Sequence, residues 1–354
     1  MSKQDKINNF DPNALGDANN NIYGLPFTTD EAEVVIIPVP WEVTVSYRSG
    51  AALGPQAVFD ASYQVDLFDP KITDAWKIGI AMEPVSDDIA SKNESLRRKS
   101  EAYLTLLEEG ESIETNDKMK DILTLINAES VKLNHWVKTK SLTYLDKNKI
   151  VALLGGDHST PLGLMQALAE KNESFAILQI DAHADLRDAF EGFDYSHASI
   201  MYNAIKIPQV SKLVQVGIRD YCEFEFDLIK NSNGRIVTFF DRDIKNKQYD
   251  GATWTSICNE IIAQLPKDIY LSFDIDGLDP KLCPNTGTPV AGGFEFEQVL
   301  MLIEKIVDSG KRIIAFDINE VAPGGDEWDA NVGARLLYRI ANMVAKSNGK
   351  TPIK

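Results

Sequence analysis

Phe175-Ala-Ile-Leu-Gln-Ile-Asp-Ala-His-Ala-Asp-Leu-Arg187 joins a short apolar run to a segment dense in metal-type ligands. The run 175–180 has the length and composition of a strand buried on both faces. If the chain stays extended beyond it, Asp181, His183 and Asp185 stand on one face, because side chains alternate sides along a strand. Three ligand-type groups then converge at the carboxyl end of a strand, where open parallel sheets form their ligand sites.

Runs of the same kind return at 150–154, 213–216, 236–240, 269–273 and 313–316, with helix-type segments between most of them. Crossovers of about ten or more residues between such runs are the mark of a parallel sheet covered on both faces. The predicted class is therefore α/β, a three-layer α/β/α arrangement around a mostly parallel sheet. Upstream, 34–39 is a β-branched strand leading through an aromatic loop, Trp41 to Tyr47, to a helix from about Pro55 to Tyr63, with proline at a favourable first position. Between 92 and 143, apolar residues such as Leu104, Leu107, Ile122, Leu125 and Ile126 recur at helical spacing and predict two amphipathic helices. Residues 1–30, rich in Asn, Asp and Gly, read as a loose N-terminal tail, and 31–354 as a single domain.

The 354 residues carry 36 Lys and Arg against 53 Asp and Glu, a formal charge of −17. That excess repels phosphate backbones and anionic membranes, so nucleic acid and membrane partners are not expected, while cationic substrates and metal ions are suited to it. No apolar stretch has the length of a signal peptide core or a membrane span, and a cytoplasmic protein is expected. Cys222, Cys258 and Cys283 are widely spaced and form no CxxC pair, which argues against a disulfide framework or a thiolate zinc site.

Chemistry-bearing residues follow four of the runs. Gly155-Gly-Asp-His-Ser159 follows the first, with two glycines to let the backbone turn sharply and leave His158 projecting. Asp274-Ile-Asp276 follows 269–273, and Asp317-Ile-Asn-Glu320 follows 313–316. Three of the four histidines, His158, His183 and His197, fall within forty residues; His135 stands apart in a helical stretch. Burying Asp181, Asp185, Asp274 and Asp276 together without cations would raise their pKa values and cost stability. Divalent metal removes the conflict. Four carboxylates and two imidazoles suffice for two ions if carboxylates bridge, and the mixed oxygen and nitrogen set favours Mn²⁺ or a neighbouring transition metal. Such a pair generates a hydroxide nucleophile at neutral pH, so the predicted chemistry is hydrolysis.

These motifs, with Thr286-Gly-Thr-Pro289 and Gly292-Gly293, resemble in content and order those of the ureohydrolases: arginase, agmatinase, formiminoglutamase and their relatives. The resemblance spans about residues 34–345. It implies an arginase-like fold, assembled as a trimer or hexamer, and two divalent ions, Mn or Ni. One ion would be held by His158, Asp181, Asp185 and Asp274, the other by Asp181, His183, Asp274 and Asp276. Glu320 would accept the guanidinium group, gripping two N–H groups in parallel. His197 would shuttle a proton or orient the substrate, and either His197 or Asp276 would serve as general acid.

Two departures bear on the substrate. Where arginases bind an α-amino-acid head group, this chain has Arg187 and Phe193-Asp-Tyr-Ser196, which disfavours arginine and is closer to agmatinases. After Glu320 the loop Pro323 to Arg335 carries Trp328, placed to stack on a planar cation. That loop, the aromatic loop at 41–47 and the helical segment at 92–143 resemble the guanidine-hydrolysing branch, for which nickel is implied. The expected activity is hydrolysis of a C–N bond in guanidine or an agmatine-like compound, releasing urea plus ammonia or an amine. A deacetylase on the related fold and a catalytically silent metal-binding relative or sensor are the alternatives.

Overall fold

The structure is a computed structural model that describes residues 1–350 and 352. Its strands are β1 (Val34–Val39), β2 (Ile80–Met82), β3 (Ile150–Gly155), β4 (Phe175–Ile180), β5 (Val210–Ile218), β6 (Ile236–Phe240), β7 (Asp268–Asp274) and β8 (Arg312–Asn319). They form one sheet in the order β2-β1-β3-β8-β7-β4-β5-β6, with every neighbouring pair parallel. Each apolar run read from the sequence is a strand. The three-residue β2 is too short to display a period.

Alternate strand residues feed two cores, which is why the runs are apolar throughout. Val35, Ile37, Val151, Leu153 and Ile177 pack beneath the helices Asp87–Glu108, Asp117–Leu145 and Leu162–Lys171. Val34, Ile36, Ala152, Leu154 and Leu178 pack beneath Gly54–Ala61, Trp254–Gln264, Phe296–Asp308 and Trp328–Ser347. The result is the expected three layers. The two long helices before β3 start where Ser86 and Asn116 accept hydrogen bonds from the amides of Ile89 and Met119, satisfying donors that the helix leaves unpaired. His135 lies exposed on the second of them.

Residues 1–30 are not the loose lead-in that their composition implies. Lys3–Asn9 is a helix whose start is closed by reciprocal Ser2 and Asp5 bonds. Ile22, Tyr23, Leu25 and Phe27 are buried in the core, and the Tyr23 hydroxyl donates to the Ala334 carbonyl at 2.9 Å. The polar residues that suggested disorder instead make caps and turns, such as the Asn21 side chain accepting from the Ile22 amide. No helix among the described residues is long and apolar enough to cross a membrane.

Candidate metal centre

The four motif segments leave the carboxyl ends of β3, β8, β7 and β4, four consecutive strands in the sheet. Close packing brings them together. A Cβ on Gly155 would stand 1.8 Å from Asn319 Oδ1, and one on Gly156 would stand 1.9 Å from the Trp41 carbonyl oxygen. Neither glycine has a positive φ, so they serve close approach rather than the sharp turn read from the sequence.

His158 Nδ1 lies 3.0 Å from Asp181 Oδ2 and 3.2 Å from the Oδ2 atoms of both Asp185 and Asp274. Although buried and ringed by these oxygens, Nδ1 makes no aligned hydrogen bond with any of them. His183 Nδ1 lies 3.0 Å from Asp276 Oδ2 and 3.6 Å from Asp181 Oδ1. The two oxygens of Asp181 thus face two different histidines. Ligand atoms of His158, Asp181 and Asp185, and separately of Asp181, His183 and Asp276, fall within 4.8 Å of one another. Asp274 belongs to neither triad, although its Oδ2 stands 3.2 Å from His158 Nδ1.

Strand alternation does not cause this convergence. β4 ends at Ile180, and Asp185 stands at φ 55°, a left-handed conformation uncommon outside Gly, Asn and Asp. Asp181 Oδ1 accepts from the His183 amide at 2.6 Å, and Asp274 Oδ1 from the Asp276 amide at 2.9 Å. Aspartate turns of this kind, bonding two residues ahead, bend each segment back over its strand end.

The electrostatics mark a site short of positive charge. Burial, with the charges of Asp276 and Asp181, pushes Asp274 well above the usual carboxylate range, and burial with the Asp181 charge pushes Asp185 up to about 7. Burial opposes charge on His158 and His183, yet the surrounding carboxylates raise both well above the usual imidazole value. For Asp181, burial is outweighed by the two histidines, which hold it far down. Protons therefore fill in for cations here. A divalent ion at the point ringed by Nδ1 and three oxygens would neutralise the same charges, so the donor set fits metal.

Glu320 is buried at φ 63°. Its Oε1 accepts from the His158 amide at 2.9 Å, while Oε2 faces Gly287, where an added Cβ would lie 3.3 Å away. One oxygen being engaged, the parallel two-oxygen grip read from the sequence becomes an approach chiefly to Oε2. Burial and the Asp157 charge push this carboxyl well up. His197 follows a Ser196 cap, half-buried, with its ring edge-on to Phe190 at 5.9 Å. Burial first, then His183 and His158, push its imidazole down to about 3. A cavity of about 160 Å³ opens beside His197, bounded by His183, Asp185, Arg187, His197, Asp220 and Tyr221 among others; Glu320 is not among its lining residues.

Trp328 is not brought into this cavity. It is 47% exposed at the head of its helix, and its indole N–H donates to the Lys281 carbonyl at 2.9 Å, which fixes the ring outside. Sequence reading also missed Arg219, just past β5. Its guanidinium donates to the carbonyls of Asp276 at 2.6 Å, Leu278 at 3.2 Å and Val290 at 3.0 Å, bracing the loop that carries Asp276. The only available signal was a cation directly after an apolar run.

A parallel three-layer sheet bearing a paired histidine–carboxylate centre at its carboxyl edge defines a metallohydrolase of the α/β class. The chain belongs to the arginase family, which residues 32–342 match. Among its relatives, the N(1)-aminopropylagmatine ureohydrolase of Thermus thermophilus is 32% identical, with 89% of this chain and 91% of that protein covered. The agmatinase of Neisseria meningitidis is 29% identical, covering 87% of each. The fold superposes on the agmatine ureohydrolase of Thermoplasma volcanium with a TM-score of 0.68 at 21% identity, over 98% and 99% of the two chains. This protein is a metal-dependent amidinohydrolase, a hydrolase of C–N bonds in guanidino compounds.

Proposed function

We propose that the substrate is an agmatine-like guanidino compound, hydrolysed to urea and an amine at a centre of two Mn²⁺ or Ni²⁺ ions. The observation that carries the catalytic part is the division of Asp181 between His158 and His183. His158, Asp181, Asp185 and Asp274 would hold one ion, and Asp181, His183, Asp274 and Asp276 the other. When bound, a divalent pair lowers the pKa of water and supplies a nucleophile at neutral pH.

The chain's own residues then have separable tasks. Glu320 Oε2 receives the guanidinium N–H groups and fixes the carbon over the centre. His197, kept neutral by burial and by the neighbouring histidines, orients the substrate as a hydrogen-bond partner. Asp276, against His183, is placed to carry a proton toward the departing amine. Relatives named for agmatine derivatives support a cationic substrate.

A second reading, guanidine itself with nickel, is favoured by one observation. The cavity's 160 Å³ is below the roughly 300–1,000 Å³ of ordinary ligand pockets. Urea release from guanidine, agmatine, arginine and guanidinobutyrate, with Mn²⁺ and Ni²⁺ loaded separately, discriminates the two. Agmatine turnover with Mn²⁺ supports the first, guanidine turnover with Ni²⁺ the second, and metal uptake without any urea supports the silent relative. A cytoplasmic setting and a homotrimer or homohexamer belong to the same proposal, and light scattering measures the assembly.

A further inference from the structure

We infer that Asp317 is a positioning residue for the metal centre: through Ser272 it keeps an imidazole proton on Nε2 of His158 and so reserves Nδ1 for a cation. The inference rests on the metal reading above and gives a role to a buried carboxylate that no step of the reaction uses.

The chain of contacts is short and wholly buried. His158 Nε2 lies 2.9 Å from Ser272 Oγ, and Ser272 Oγ donates to Asp317 Oδ1 at 3.1 Å. A serine hydroxyl has one proton to give. With that proton directed at Asp317, Ser272 can only accept from the imidazole, so Nε2 is the protonated nitrogen. Nδ1, on the opposite side of the ring, is the atom surrounded by Asp181, Asp185 and Asp274.

Asp317 fixes the direction of the hydroxyl because everything around it donates. The Tyr270 hydroxyl, the Ser272 hydroxyl, the Phe273 amide at 3.3 Å and the Asn319 side-chain amide all converge on its two oxygens. Turning the Ser272 proton toward Nε2 would take a donor from a carboxylate that is fully buried and would force the imidazole proton onto Nδ1. A proton on Nδ1 occupies the position a cation needs. The relay is also rigid, since Ser272 and Asp317 are register partners on β7 and β8.

Full-length protein labelled with ¹⁵N-histidine reads the proton directly. In the metal-free wild type, brought to a pH at which the His158 ring is neutral, Nε2 is expected to bear a hydrogen-bonded proton protected from exchange and Nδ1 to bear none. Asp317→Leu, which removes the acceptor, is expected to lose that protection and to weaken Mn²⁺ binding at the His158 site about 10–100-fold. Electron paramagnetic resonance should then change from a coupled pair of Mn²⁺ ions to a single ion. Asp317→Asn, whose carbonyl can stand where Oδ1 stands, is expected to keep both ions. Ser272→Ala should repeat the leucine result and decides the matter if the leucine variant does not fold. A wild-type Nε2 without a proton, or wild-type Mn²⁺ affinity in Ser272→Ala, overturns the inference. Absence of Mn²⁺ binding in the wild type overturns the proposed function instead, while the imidazole spectrum still decides this one.

Discussion

The amide N–H of His158 donates to Oε1 of Glu320 at 2.9 Å, so a candidate metal ligand and the candidate guanidinium acceptor are fixed to each other through the backbone. In Glu320→Gln the amide oxygen can keep that bond, while the carboxyl that a bound guanidinium would draw into its charged form is replaced by a neutral amide. Hydrogen bonds to charged groups contribute about 1.5–3 kcal/mol, so kcat/KM should fall about 10–150-fold. Metal content should be unchanged, and elemental analysis beside kinetics checks both; loss of metal in this variant would contradict the assignment.

Removal of ligands should sort by sharing. Asp185→Ala, which faces His158 alone, is expected to lower bound Mn²⁺ from about two ions to about one per chain. Asp181→Ala, which faces both histidines, should lower it further and abolish activity. Equal stoichiometry in the two variants would argue against a shared carboxylate.

Metal removal should make stability depend on pH. An aspartate titrates near ~4 when unfolded, whereas Asp185 in the metal-free fold is pushed up to about 7 by burial and by Asp181. Between these values the folded chain holds a proton that the unfolded chain releases, so stability falls as pH rises. His158 and His183, both raised, add the same sign above about pH 6.5, and Asp181, lowered, acts only below about pH 4. Divalent ions replace these protons. The gap in thermal midpoint between Mn²⁺-loaded and stripped protein should therefore widen from about pH 5 to about pH 8. A constant gap would mean the charges are not relieved by metal.

Gly287→Ala tests the approach to Glu320. The new Cβ would lie 3.3 Å from Oε2, and the residue's φ is not positive, so the backbone tolerates alanine. Folding should survive. Displacement of the carboxylate by a few tenths of an ångström, with a methyl group where the guanidinium enters, should raise KM and lower kcat/KM about 10–100-fold. Wild-type kinetics would place the substrate elsewhere.

Truncation tests the N-terminal segment. Deleting residues 1–28 removes Ile22, Tyr23, Leu25 and Phe27, all buried. At about 1.5–3 kcal/mol for each buried side chain, an upper estimate, the loss of about 6–12 kcal/mol is comparable with a whole domain's net stability. The shortened chain should be insoluble or unfolded by circular dichroism, and a cooperative melt near the wild-type midpoint would refute the packing described.

Much of this molecule was legible because buried parallel strands write themselves as unbroken apolar runs, and because ligand-type residues cluster after them. What stayed hidden was decided by contacts between distant segments. β2 is only three residues long and pairs at an edge with β1. The packing of 22–27 depends on the helix Trp328–Ser347, some three hundred residues away. At the candidate site, the sequence showed which histidines and aspartates would converge in the two triads but not the cause of their convergence. Alternation predicted one face for Asp181, His183 and Asp185, whereas aspartate turns and the left-handed backbone of Asp185 gather them. Trp328 had the right chemistry for a planar cation, yet the Lys281 carbonyl holds it outside. Arg219 and Asp317 act on neighbours, and no local pattern announces that.

The sheet order also has a consequence in time. His158 and Asp181 follow β3 and β4, which are consecutive in the chain but separated in the sheet by β8 and β7. A ribosome-bound chain that has emerged only as far as residue 260 has every histidine and two of the four candidate ligand aspartates, Asp181 and Asp185, yet lacks the strands that stand between them and His158. The candidate centre therefore assembles only once β7 and β8, which ends at Asn319, have joined the sheet.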